Sequence, residues 1–410
     1  MGANARVEAD GHVPAHVPAA LVKDFDYRYA SEIGNDPWTY FAEAADGAPV
    51  FWTPRNGGHW IVKTNADVAK VLADSDHFSS RRIMVGAVDD GRPPLVPLQL
   101  DPPHHAPYRA LLQAALSPKA VGKLGERARE LSIELIDGFK HDGHCEFIGQ
   151  FAQHLPIAIF MEIVGLPASD RPYLTEVAET AMRGKTEAER NEAGGKLMAY
   201  GMAKVAERRA NPGNDLISTI VKAEIEGKPI EDFPLTGMIL LLLLGGLDTV
   251  ASTLGFYAQF LATHPEHRRQ LVENPELIAN ANEELLRRFP IAILAREVCA
   301  EVEMGGVTMQ PGDMVMVPTP MDGLDEHKFA DPLTVDFARV KPGANSTFGG
   351  GVHRCVGSVL ARTELRIFLE EWLKRIPDFA VKPGTNPRVS ARSVATLTEL
   401  ELVWDPKSVK

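Results

Sequence analysis

The sequence predicts a mainly helical fold with small β-sheets, and three observations carry that prediction. Several long stretches repeat their apolar side chains with a period near 3.6. The strand-like runs are short and flank glycine turns. The run from Phe233 to Pro265 holds one charged residue, Asp248, as a long helix through a protein core would.

In chain order, Met1 to Ala20 is rich in Ala, Pro and His and lacks the apolar core of a signal peptide, so residues 1–25 are expected to form a loose arm. Val50-Phe51-Trp52 and Trp60-Ile61-Val62 flank Asn56-Gly57-Gly58, a hairpin signal. Ala120 to Lys140 places Val121, Leu124, Leu131, Ile133 and Leu135-Ile136 at helical spacing. The central run is no membrane span: its apolar stretch Met238 to Leu244 stops at Gly245-Gly246, and a carboxylate near the middle is costly in a bilayer. His264-Pro265-Glu266-His267 reads as a surface turn, because Pro265 breaks the helical face. Leu277 to Phe289 is a further helix, and Val302–Met304 with Val307–Met309 flank Gly305-Gly306 as a second hairpin. Gly357 to Ile376 is a helix whose buried stripe is expected at Val356, Val359, Leu360, Thr363 and Ile367. Leu400 to Trp404 alternates and closes the chain as a strand. With no repeat and no long linker, residues 26–410 are expected to form one domain.

The 410 residues are 45% hydrophobic and 24% charged, which excludes disorder along the whole chain. A net charge of −12 argues against a nucleic-acid partner. Cys145, Cys299 and Cys355 are odd in number and widely spaced, so neither a thiolate zinc site nor a disulfide framework is expected. A reducing, cytoplasmic setting without membrane attachment follows as the expectation.

The chemistry concentrates in Phe348-Gly349-Gly350-Gly351-Val352-His353-Arg354-Cys355-Val356-Gly357. Consecutive glycines let the backbone turn sharply or press against a flat ligand. A helix follows the cysteine, and helix N-termini favour anions, so Cys355 is placed to be a thiolate. A thiolate donating to iron is one way to hold haem. Cys145 and Cys299 read instead as buried, inert core residues.

On these residues the chain resembles the cytochrome P450 family. Phe348, Gly351, Cys355 and Gly357 fill that family's haem-binding signature. Glu284-Leu285-Leu286-Arg287 matches its Glu-x-x-Arg, and Gly245-Gly246-Leu247-Asp248-Thr249 its oxygen-activation motif. The motifs occur in the family's order, and the likeness runs from about Asp36 to Pro406. Gly-Gly-Leu-Asp-Thr-Val, Glu-Glu-Leu-Leu-Arg-Arg-Phe, Ile-Pro-Asp-Phe and Leu-Val-Trp-Asp-Pro are similar to segments of soluble bacterial camphor monooxygenases. The resemblance implies a single P450 catalytic domain over 26–410, with haem b between the long central helix and the helix after Cys355. It implies that Cys355 is the axial ligand, that Thr249 is the alcohol beside the oxygen site, and that Asp248 relays protons from solvent. Glu284 and Arg287 become a buried structural ion pair. His105, Arg109, Arg296 and His353 become partners of the haem propionates. Leu294 stands where relatives carry an Asp, which leaves one propionate less well satisfied or bonded elsewhere.

Matching positions to those relatives implies a substrate pocket lined by Met84, Leu95, Val96, Leu241, Leu244, Ala292, Leu294, Ser393 and Val394. Camphor hydroxylases place a tyrosine where this chain has Pro93, and a missing polar anchor changes specificity. The expected substrate is therefore an apolar terpenoid other than camphor, such as an ionone-like norisoprenoid ketone. The dinucleotide-binding glycine motif is absent, so electrons must come from outside. The resemblance clusters Arg109, Arg339, Lys341, Arg354 and Arg362 on the cysteine side of the haem, and so implies an acidic [2Fe-2S] ferredoxin, itself served by a ferredoxin reductase, as the donor to a monomeric enzyme that uses O2. The acid–alcohol pair argues against two alternatives, a peroxide-driven oxygenase and a non-catalytic haem sensor or carrier.

Overall fold

The computed structural model describes residues 12–27, 36–44, 47–86, 91–184, 186–391 and 394–410. The helices read from periodicity are present with ends shifted by a residue or two: Pro118–Phe139, Ile278–Arg288 and Ser358–Arg375. Pro118 at the first turn suits a position whose N–H has no intrahelical partner. The helices Pro118–Phe139 and Ser358–Arg375 pack tightly enough that a Cβ on Gly125 would lie 3.0 Å from the Thr363 methyl.

The central apolar run forms two helices, Asp232–Leu247 and Thr249–Thr263, broken at Asp248 (φ −130°, ψ −36°). It is long and apolar enough to cross a membrane, but 56% of its apolar window is buried inside the fold. The helix His154–Val164 presses on it so closely that a Cβ on Gly246 would overlap the Phe160 ring. His264 ends the second half, and Pro265 opens the next helix, Pro265–Glu273.

Both predicted hairpins form, with Val50 opposite Val62 and Val302 opposite Met309. The first joins a five-stranded sheet in the order Val50–Thr53, His59–Val62, Met314–Pro318, Ile293–Val298, Phe78–Ser79. The closing strand, Glu401–Val403, lies between His144–Glu146 and Ala380–Val381. Trp372 anchors the main core amid Phe139, Phe147, Phe151, Phe368, Phe379 and Trp404, and such aromatic pairs add about 0.5–1.5 kcal/mol each beyond area burial.

Three expectations need correction. Residues 1–11 of the expected arm lie outside the described residues, but residues 12–25 are not loose. Val17 and Phe25 are buried, Val22 bridges Trp52, and Lys23 N–H donates to the Trp52 carbonyl at 2.8 Å. The segment is mostly apolar, with Val13, Val17, Leu21, Val22 and Phe25, and these side chains were enough to seat it. The Ser358–Arg375 helix buries Glu364, Leu365, Ile367, Phe368, Glu371 and Trp372, whereas Val359 is exposed. Its aromatic residues, larger than the valines, set the inward face. Cys145 is buried, and burial pushes its thiol up, but Cys299 is exposed, with Sγ 3.2 Å from the Asp76 carbonyl.

Glu284 and Arg287 are both fully buried. Arg287 Nε and Nη2 donate to the Glu284 carboxylate at 2.8 and 2.7 Å. Arg339 Nε and the Asp336 N–H add bonds to the same carboxylate at 3.0 Å each. Arg287 also donates to the carbonyls of Gly323, Pro332 and Thr334. Glu284→Gln should lower unfolding free energy by about 3–5 kcal/mol, because it strands buried guanidinium charge. Urea denaturation measures this, and an unchanged midpoint refutes it.

Glu364 is buried, and burial alone pushes its carboxyl up to about 8. In the unfolded chain it titrates in the ordinary glutamate range. The folded state therefore holds more protons between about pH 4.5 and 8, and stability falls as pH rises through that window. Glu364→Gln should flatten this slope and raise Tm at pH 8 relative to wild type. Equal pH profiles of Tm for the two proteins would count against it.

Candidate functional site

Cys355 sits on a glycine-built loop. Its N–H donates to the Phe348 carbonyl at 2.8 Å, and Gly349 N–H donates to Ser346 at 2.7 Å. Gly349 and Gly351 have φ of 69° and 58°. A Cβ on Gly351 would also overlap the Leu72 carbonyl, so only glycine fits there. The loop is fixed from below: Ser346 N–H donates to Asp322, Asn65 donates to the other Asp322 oxygen at 2.6 Å, and Thr347 Oγ1 donates to Leu286 at 2.9 Å. Arg362 stacks 4.4 Å from the Phe348 ring centroid and pairs with Glu283 at 2.6 Å.

The sulfur opens into a cavity of about 620 Å³ that His105, Arg109, Gln113, Val352 and Val356 help to line. The helix begins at Ser358, so its end is three residues from the sulfur. Burial pushes the Cys355 thiol up, while the Gly357 N–H and the charges of Arg109, Arg362 and Arg354 act against it. The helix end therefore does not make a thiolate by itself. A bound cation would, since a coordinating thiol is deprotonated outright.

Beside the cysteine, His105, Arg296 and His353 converge. The two imidazole rings meet edge to face with centroids 4.3 Å apart, and Nε2 of each is buried with no hydrogen-bond partner. Arg296 is buried on its strand and has no carboxylate ion pair among the described residues. Burial lowers its pKa to about 10, so it stays charged at neutral pH. Burial and the Arg296 charge push His353 down to about 3, and burial lowers His105. Arg109 donates to the Arg354 carbonyl. A buried guanidinium without an anion is costly. These orphaned donors fit the two carboxylates of haem, and Cys355 fits its iron.

On the central helix, Thr249 Oγ1 donates to the Gly245 carbonyl at 3.1 Å, diverting the helix at its break. Gly245 is exposed, with no atom within 4 Å of where its Cβ would be, and Asp248 is buried next to Thr249. Leu241 and Leu244 lie on the same helix, half-buried. Ala292 and Val394 pair as an isolated bridge, and Leu294 lies against Gly349. The structure thus brings Leu294 to the cysteine loop and pairs Ala292 with Val394.

Three expected pocket residues behave differently. Val96 is 1% exposed and belongs to the core with Leu112, Leu235 and Met238, because the chain turns it inward. Met84 is 44% exposed and shares only a crevice of about 10 Å³ with Ile293 and Leu294. Leu95 is half-buried, its N–H tied to Gln99 Oε1 at 2.8 Å. Ser393 lies outside the described residues. Two residues escaped the sequence reading. Asp101 accepts from Ser79 Oγ at 2.5 Å and Ser80 N–H at 2.7 Å and faces the histidine–arginine cluster electrostatically. Gln99 braces the segment before it. Only the Asp-Pro-Pro step hinted at the first, and nothing marked the second.

The cytochrome P450 family model matches residues 169–403. The chain is 33% identical over 402 residues to the probable cytochrome P450 127A1 of Sinorhizobium fredii, covering 96% of this chain and 97% of the relative. It is 32% identical over 356 residues to the mycinamicin IV hydroxylase/epoxidase of Micromonospora griseorubida, covering 84% and 89%. Its fold matches the crystal structures of CYP101J2 and CYP101C1 with TM-scores of 0.84 and 0.86, each at 35% identity over 96% of this chain and 100% of the other. Full-length likeness in both sequence and fold, on top of a cysteine loop and donor cluster that suit haem, places this chain in the cytochrome P450 family, whose members are haem-thiolate monooxygenases.

Proposed function

We propose that this chain hydroxylates a small apolar terpenoid, of the ionone-like norisoprenoid ketone type, with electrons from a [2Fe-2S] ferredoxin. The observation that carries the oxygenase half is the Thr249 hydroxyl bonded to the Gly245 carbonyl beside buried Asp248. When bound, haem supplies the activation of O2, so that one atom enters a C–H bond and the other leaves as water. The chain does the rest. Cys355 holds the iron side, and His105, Arg109, Arg296 and His353 hold the propionates. Asp248 takes protons from solvent, and Thr249 passes them on at its hydroxyl. Leu241, Leu244, Ala292, Leu294 and Val394 exclude water and hold the substrate by shape. The absence of a tyrosine at Pro93 favours an apolar ketone other than camphor.

Donor choice follows from charge. Of the basic side chains that the resemblance puts on the cysteine side, Arg339 is engaged by Glu284 and Arg362 by Glu283, which leaves Arg354 and Lys341 exposed to meet an acidic ferredoxin. Residues 26–410 acting as one catalytic domain, as a monomer in the cytoplasm, complete the proposal.

Titration of the ferric protein with a terpenoid panel tests the substrate class. Ionone-like ketones should move the Soret band from low to high spin more tightly than camphor does; tight camphor binding would sink the missing-anchor argument. With a ferredoxin system, Thr249→Ala should keep consuming NADH while product per NADH falls and hydrogen peroxide rises. Asp248→Asn should slow turnover by roughly 100-fold, the scale of a lost proton-transfer group. Wild-type coupling in both variants would remove the acid–alcohol pair from proton delivery, product made from hydrogen peroxide without NADH would point to a peroxide-driven route, and NADH use without product in the wild type to a sensor.

A further inference from the structure

The segment after Gly91 crosses the first half of the central helix at one bare point. A Cβ on Gly237 would overlap the Pro94 carbonyl oxygen, and would lie 3.0 Å from Pro94 C and 3.5 Å from Val96 N. These are backbone atoms, so no side-chain rotation relieves the contact. Two further devices hold the segment there. Val96 is buried in the same core cluster as Leu235 and Met238, which flank Gly237 on the helix. Gln99 accepts from Leu95 N–H and donates to the Arg81 carbonyl, both at 2.8 Å, bracing the segment to the strand side.

Gly237, Leu241, Leu244 and Gly245 recur at spacings of four, seven and eight, so they share one helix face. That face carries the proposed substrate contacts Leu241 and Leu244 between Gly237 at one end and the oxygen-site carbonyl of Gly245 at the other. Eight residues at 1.5 Å each separate Gly237 from Gly245, about 12 Å. Gly in a helix interior is unfavourable relative to Ala, so a local helical preference does not account for it.

We propose that Gly237 is a specificity-determining residue: its missing side chain lets the Pro94 backbone seat on the helix and close the pocket about 12 Å from the oxygen site. The seat selects molecules of one or two rings over long chains. This deepens the terpenoid reading and rests on the pocket assigned there.

The test uses holoenzyme and n-alkylimidazoles from butyl to dodecyl, whose ring nitrogen binds the haem iron whatever the natural substrate. Wild-type affinity should rise with each methylene and then stop once the chain spans about 12 Å. Gly237→Ala, with a better helix former, should move the limit to longer chains. Dodecylimidazole should then bind roughly tenfold tighter than to wild type, as two newly buried methylenes would give. Gln99→Met, which cuts both braces without touching the helix, should shift the limit in the same direction. Amides of residues 95–100 should exchange faster in both variants. A wild-type series that rises without a limit, or a limit unmoved in both variants, overturns the proposal. A limit that moves while no terpenoid ketone shifts the Soret band supports the seat and removes the substrate reading; ketone binding with an unmoved limit does the reverse.

Discussion

The constraint on which the rest depends is that Glu284 carries its charge with no access to water. A carboxylate so placed must be surrounded by donors, and Arg287, Arg339 and the Asp336 N–H fill that role. Arg287 spends its remaining donors on three backbone carbonyls between Gly323 and Thr334. The ion pair therefore reaches beyond its own helix and fixes the long irregular segment that leads to Ser346, Thr347 and the cysteine loop. The segment has little regular hydrogen bonding of its own. Its course is set by charge, and the position of the sulfur follows.

The site inverts the electrostatics of the molecule. The chain carries a net −12, yet the region next to Cys355 gathers Arg296, Arg109, His105 and His353, with Asp101 as the nearby carboxylate. Burial pushes each of these four toward its neutral form, and the arginines remain charged. A protein region in that condition is stable only when an anion joins it. If these donors hold the propionates as proposed, they would also resist release of the cofactor.

How far the sequence could be read varied with the range of the interaction. The loop from Phe348 to Gly357 was legible because its glycines answer local demands: two positive φ values and one backbone contact. The Asp248-Thr249 break was legible because a lone carboxylate and paired glycines stand out in an apolar run. Both hairpins were legible from turn chemistry. What stayed hidden was set by partners far along the chain. Val17 and Val22 look like parts of a loose Ala-, Pro- and His-rich arm until Trp52 is beside them. Val96 reads as pocket lining until Leu235 and Met238 enclose it. Ala292 meets Val394 across about a hundred residues, a pairing that no local pattern encodes.

The position of Lys410 bears on how an electron donor could be attached. Lys410 N–H donates to the Arg375 carbonyl at 3.0 Å, so Lys410 is held at the far end of the helix Ser358–Arg375. That helix has 18 residues, which makes it about 27 Å long, and Cys355 lies just beyond its other end. A redox partner attached at Lys410 must span at least that length to come near the sulfur. A Gly/Ser tether extends by about 5–6 Å times the square root of its residue number, so roughly 25 residues bring its mean span to that distance. Shorter tethers would hold the donor against the wrong end of the molecule.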